Sequence, residues 1–146
     1  MNIKIKKLHE RAMIPTFATK GSACFDLYAM VEDSKKVSIY KHSPAIIRTG
    51  LSFEIPKGHA MMIYSRSGHG FNNDVRLSNC VGVIDSDYRG EVKVKLAADG
   101  GGFGVSHGDR IAQAMIIPVP AIEGFFVSNE LSETERGDGG FGSTGS

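Results

Sequence analysis

Thiols are scarce in this chain. Its 146 residues hold two cysteines, Cys24 and Cys80, and no C-x-x-C pair. That excludes a disulfide framework and a thiolate zinc site, and makes a reducing compartment the default. Cys80 lies in an apolar run and reads as a small core residue. An excess of one charge is also lacking. The formal net charge is +1, so nothing draws the chain toward nucleic acid or a membrane surface, and any anion site must be local. The longest apolar stretch, residues 111–122, is broken by Gln113, Pro118 and Pro120 and is too short to cross a bilayer. Residues 1–13 carry Lys4, Lys6, Lys7 and Arg11 without an apolar segment, so they do not read as a secretory signal. The expectation is a soluble, non-secreted protein: cytoplasmic, nuclear or, for a viral chain, in the host cell. His9, His42, His59 and His107 show no ligand spacing, so no zinc site is inferred. There is no internal repeat and no Gly-Lys-Ser/Thr, hence no Walker A loop.

What is present is glycine and short strands. Glycine occurs 18 times, against about 10 expected from average usage. Strand patterns cover residues 2–8, 24–30, 37–40, 45–49, 51–55, 60–64, 103–105, 111–119 and 121–127, with loops at 12–23 and 99–108 and a short helix allowed within 65–74. Many short strands with hardly a helical window predict an all-β fold, with sandwich, jelly roll and barrel all open. The length fits one domain with a sizeable core.

The stretch Gly82-Val83-Ile84-Asp85-Ser86-Asp87-Tyr88-Arg89-Gly90 joins two apolar patterns. Residues 80–84 are nearly continuously apolar. Residues 91–96 alternate, with Val92, Val94 and Leu96 on one face and Glu91, Lys93 and Lys95 on the other. Such a pair, joined by a polar connector, predicts a β-hairpin. Gly82 within a strand suggests close approach by a ligand or another backbone. Tyr88 can serve as an aromatic wall with a polar tip.

Four further motifs stand apart. Arg66-Ser67-Gly68 follows a strand and combines a planar cationic fork, a hydroxyl and a flexible backbone, all suited to phosphate. Gly108-Asp109-Arg110-Ile111-Ala112-Gln113 opens a strand whose Gln113 is either an edge residue or a buried hydrogen-bonding group. Gly21-Ser22-Ala23-Cys24-Phe25-Asp26-Leu27 places a carboxylate near a strand start. The tail 136–146 holds five glycines, with Ser143, Thr144, Arg136 and Phe141. It is too polar to fold alone and follows the logic of a phosphate-cradling loop.

Taken in order, these five motifs resemble those of the trimeric deoxyuridine triphosphatases (dUTPases), from about Gly21 to the C-terminus. The resemblance implies a jelly-roll-like (β-clip) subunit over residues 1–127 and a flexible arm over 128–146. It implies a homotrimer with active sites shared between subunits, and Mg²⁺-dependent cleavage of dUTP to dUMP and pyrophosphate, which keeps uracil out of DNA and supplies dUMP. By this resemblance Asp85 is the general base that activates water. Tyr88 packs on the deoxyribose and leaves no room for a 2′-hydroxyl. Asn79, Val83, Ile84 and Lys93 read uracil together with backbone near Gly82. Arg66, Ser67, Gly68 and Gln113 hold the α- and β-phosphates, and Arg136 reaches the γ-phosphate. Phe141 stacks on uracil while Gly142, Ser143 and Thr144 close over the triphosphate. Asp26 holds the water shell of the metal rather than the metal itself. The chain departs from the family pattern at Ser65, where proline is usual, and at His69 and Gly70, where an apolar and a small residue are common. A more mobile loop is expected from Ser65. The alternatives are a dCTP deaminase, against which the complete fifth motif argues, and a non-catalytic dUTP-binding regulator on the same fold.

Overall fold

The computed structural model describes residues 1–32, 35–141 and 143. Among them are twelve strands and one short helix, which bears out the all-β expectation. The longest strand, β12 (Arg110–Pro118), lies at the centre of a five-stranded antiparallel sheet. Its neighbours are β3 (Phe25–Tyr28) and β7 (His59–Tyr64), and the edges are β2 (Thr16–Phe17) and β9 (Val81–Ile84). A three-stranded sheet places β10 (Lys93–Ala98) between β5 (Ala45–Arg48) and β8 (Val75–Leu77). Two pairs complete the fold: β1 (Lys4–Lys7) with β6 (Leu51–Glu54), and β4 (Val37–Ile39) with β11 (Phe103–Val105).

One core joins these sheets, with Leu27, Ile47, Leu51, Met61, Leu96 and Ile111 fully enclosed. The alternation read after the connector is real: Val92, Val94 and Leu96 are buried while Lys93 and Lys95 are exposed. Burial of that one face fixes the register of β10.

The expected β-hairpin does not form. β9 pairs with β7, and β10 pairs with β5 and β8. The two arms therefore belong to different sheets, and the connector crosses between them. Periodicity identifies a strand but not its partner, which the two separate buried faces select here. Cys80 also differs from expectation: it is exposed, with φ at +62° just before β9. The short helix expected within 65–74 is α1 (Ser67–Asn73), ended by Asp74 in the left-handed region. Residues 121–127, read as a last strand, form none, and Phe125 and Phe126 are more than 90% exposed. No helix among the described residues is long and apolar enough to cross a membrane.

Candidate active site

Sheet register gathers the first group of polar residues. Gln113 on β12 stands opposite Asp26 on β3 and Tyr64 on β7. Ser65 and Arg66 follow Tyr64 directly, so they arrive beside that row. A bulge between Arg110 and Ala112 shifts the register of β12 against β3, and such bulges re-aim side chains. Asp26 is buried and accepts from both arginines: Arg66 Nε donates to Oδ1 at 3.1 Å and Arg110 Nη1 to Oδ2 at 3.3 Å. Two guanidiniums compensate one buried carboxylate and leave an excess positive charge, which suits an anionic ligand.

Ser65 makes two hydrogen bonds. Its hydroxyl accepts from the backbone N–H of Leu77 at 2.9 Å, and its carbonyl accepts from Gln113 Nε2 at 2.9 Å. Gln113 is thus a hydrogen-bonding group on a central strand rather than an edge residue. Ser67 and Gly68, in the first turn of α1, are exposed. His69 is half-buried, with its ring 5.1 Å from that of Phe103. Burial, and then the Arg66 charge, hold its imidazole below the ordinary value. Arg110 acts in the same sense, while Asp109 and Asp26 act against it.

The second group surrounds the gap between β9 and β10. A cleft of about 480 Å³ is lined there by Ile63, Asn79, Gly82, Val83, Ile84 and Lys93, among others. This is the size range of small-molecule sites. β9 is an edge strand, so one side of its backbone is unpaired and faces outward. Gly82 lies close to a neighbour across the sheet: a Cβ there would stand 3.2 Å from Cβ of Ile63, which would have to give way. Asn79, Lys93 and Val83 are all exposed at this cleft.

The connector carries Asp85 and Tyr88, both exposed, out from the end of β9. Its return is anchored at three points. Ser52 Oγ donates to the carbonyl of Arg89 at 2.6 Å. Glu91 accepts from Arg48 Nε at 3.0 Å and from the backbone N–H of Gly50 at 2.9 Å. Thr49 Oγ1 donates to the carbonyl of Val92 at 2.7 Å and is fully buried. Gly50, at φ +69°, turns the chain from β5 to β6. The two places where the chain changes sheets are therefore stitched to one another, and Asp85 and Tyr88 project from a braced base.

The tail bonds to itself. Arg136 Nε donates to the carbonyl of Gly139 at 2.9 Å, and the N–H of Ser143 to that of Gly140 at 2.9 Å. Phe141 is fully exposed. Gly142 and Thr144, expected to close over a triphosphate, lie outside the described residues. No cluster of three potential metal ligands occurs among the described residues. Both oxygens of Asp26 are taken by arginines, so the residues present do not build a Mg²⁺ site by themselves.

Sequence reasoning missed several supporting residues. Arg110 was visible only as part of a motif, since it is the bulge after it that brings it within reach of Asp26. Ser52, Thr49 and Glu91 gave no local signal, because their partners are 37 to 43 residues away.

The dUTPase family model matches residues 10–145. The chain is 48% identical to the deoxyuridine 5′-triphosphate nucleotidohydrolase of Nautilia profundicola over 146 residues, 99% of each chain. It is 42% identical to that of Helicobacter pylori strain P12, over 99% of this chain and 97% of the relative. Among solved structures, the dUTPase of Staphylococcus bacteriophage 80alpha with dUPNHPP is similar at a TM-score of 0.88 and 25% identity, over 99% of both chains.

Proposed function

This chain belongs to the dUTPase family, and from that premise we propose that it is a dUTP diphosphatase that hydrolyses dUTP to dUMP and pyrophosphate. The observation that carries the reading is the cleft between β9 and β10, lined by Asn79, Gly82, Val83, Ile84 and Lys93. The unpaired outer edge of β9 offers peptide donors and acceptors to the complementary edge of uracil, in the manner of strand addition. In this reading the backbone of β9 and Ile63, which line the cleft, leave no room for the 5-methyl of thymine. The relative from phage 80alpha was solved with dUPNHPP, which supports a triphosphate ligand.

In the proposed reaction the Asp85 carboxylate takes a proton from water. The water oxygen attacks the α-phosphorus in line, and the bond from that phosphorus to the α–β bridging oxygen breaks, releasing pyrophosphate. Arg66, Ser67, Gly68 and Gln113 bind the α- and β-phosphates. Donors fixed before the reaction stabilise the charge that develops there. For that, Gln113 exchanges its bond to the Ser65 carbonyl for one to phosphate. Tyr88 packs against the deoxyribose. Arg136 takes the γ-phosphate, Phe141 stacks on uracil, and Gly142, Ser143 and Thr144 close the site, a lid step that excludes water. A divalent ion, Mg²⁺ by our reading, would neutralise charge on the phosphates when bound, and Asp26 would serve its water shell rather than the ion itself.

The working unit is a homotrimer of jelly-roll-like subunits. Two observations support assembly. The Arg66 group lies outside the lining of the β9–β10 cleft, so a neighbour can bring the complementary half of the site. Ile122, Phe125, Phe126, Val127 and Leu131 are at least 71% exposed, an apolar run that a neighbouring copy would cover. Asp85→Asn tests the chemistry. It keeps dUTP binding and loses about 10²- to 10⁴-fold in kcat; near-normal turnover removes Asp85 as the base.

A further inference from the structure

We propose that His69 is a positioning residue for Arg66: its neutral ring accepts a hydrogen bond from the guanidinium and, with Asp26, holds that guanidinium aimed at the phosphates of the substrate. The inference rests on the reading of Arg66 as a phosphate ligand. It concerns a residue at which this chain departs from the pattern it resembles.

His69 and Arg66 are joined twice. The backbone N–H of His69 donates to the carbonyl of Arg66 at 3.1 Å, and Arg66 Nη1 lies 3.5 Å from His69 Nε2. Arginine has only donors, so Nε2 must carry the lone pair and the proton of the neutral ring must sit on Nδ1. Nδ1 is buried and has no partner among the described residues. Phe103 packs against the ring with a 59° tilt between planes. Asp26 holds Nε of the same guanidinium from the other side. With Nε and one N–H of Nη1 occupied, Nη2 and the second N–H of Nη1 remain for phosphate oxygens.

The charges facing the ring favour this state. Arg66 at the end of β7 and Arg110 at the start of β12 oppose a second proton. Asp109 before β12 and Asp26 on β3 favour one, but burial outweighs them and the imidazole is held below its ordinary value. A protonated ring would present N–H to Arg66 instead of a lone pair, and would put like charges together. The neutral form is the one that can grip.

The test compares the parent with His69→Leu, which cannot accept, and His69→Gln, which accepts through Oε1 and does not titrate. At pH 8, His69→Leu raises KM for dUTP by about fivefold, the scale of one typical net hydrogen bond. His69→Gln restores KM to near the parent value. An unchanged KM in His69→Leu, or a His69→Gln as impaired as His69→Leu, overturns the proposal. If either variant unfolds, ¹⁵N NMR of the unmodified protein decides. The Nδ1–H tautomer is expected, and an Nε2–H tautomer overturns the proposal. That spectrum needs no nucleotide, so a parent without dUTP hydrolysis would sink the functional reading and still leave the Arg66–His69 contact to be judged.

Discussion

The ring of Tyr88 lies directly over Gly90: a Cβ at Gly90 would stand 2.4 Å from the phenolic oxygen and 2.5 Å from the carbon that bears it. The phenol also donates to the carbonyl of Glu91 at 3.1 Å. Gly90 thus sets where the ring rests, and in our reading that ring is the wall that rejects a 2′-hydroxyl.

Gly90→Ala therefore moves Tyr88 while leaving the fold in place. The obstructing atoms are the far end of one side chain, so the ring can shift at little cost and the melting temperature stays within a few degrees of the parent. The preference for dUTP over UTP, measured as a ratio of kcat/KM, falls by about tenfold, the scale of one misplaced contact in a pocket. An unchanged ratio would separate Gly90 from specificity.

How much of this was legible in the sequence differs by element. The alternation at Val92, Val94 and Leu96 gave β10 and its buried face, because a half-buried strand must alternate. It could not show that β9 would turn to β7 instead, since pairing is decided by residues far apart in sequence. The motif residues Asp26, Arg66 and Gln113 were named as a set, and the register brings them together. The arrangement within the set was not legible: Arg110 on Asp26, and the Ser65 hydroxyl on Leu77, follow from sheet geometry. Residues 121–127 carry the apolar content of a strand, yet in the single chain they cover nothing and stay exposed.

Glu91→Ala removes the acceptor that joins Gly50 to the base of the connector. Its carboxylate is largely enclosed and holds Arg48 as well. Leaving a backbone N–H without its partner costs about 1–3 kcal/mol. Urea unfolding should show that loss as a lower midpoint with an unchanged slope, and kcat/KM for dUTP should fall because Asp85 and Tyr88 lose their brace. A midpoint equal to that of the parent would mean the brace contributes nothing.

Acid should weaken the fold through His69. Its value in the folded protein is held below the ordinary one near 6.5, so the unfolded chain binds more protons across the interval between the two. Stability then rises with pH through that interval. It is fully present above about pH 6.5 and declines as the pH falls through the folded value. Denaturant midpoints taken from pH 8 down to pH 5 should decline less steeply in His69→Gln than in the parent. Parallel slopes would assign the acid loss to other groups.

Deleting residues 136–146 should leave the fold intact, because the described bonds of this segment are local. The truncated protein should keep its melting temperature and lose most dUTP turnover. Normal turnover would remove the tail from the site.

The most direct measurement is pyrophosphate release with Mg²⁺ from dUTP, dTTP, dCTP and UTP, side by side. The account predicts release from dUTP alone, which would join base readout at the β9–β10 cleft to sugar exclusion at Tyr88. Release from none of the four, with tight dUTP binding retained, would contradict the catalytic reading, and ammonia released from dCTP would contradict the substrate.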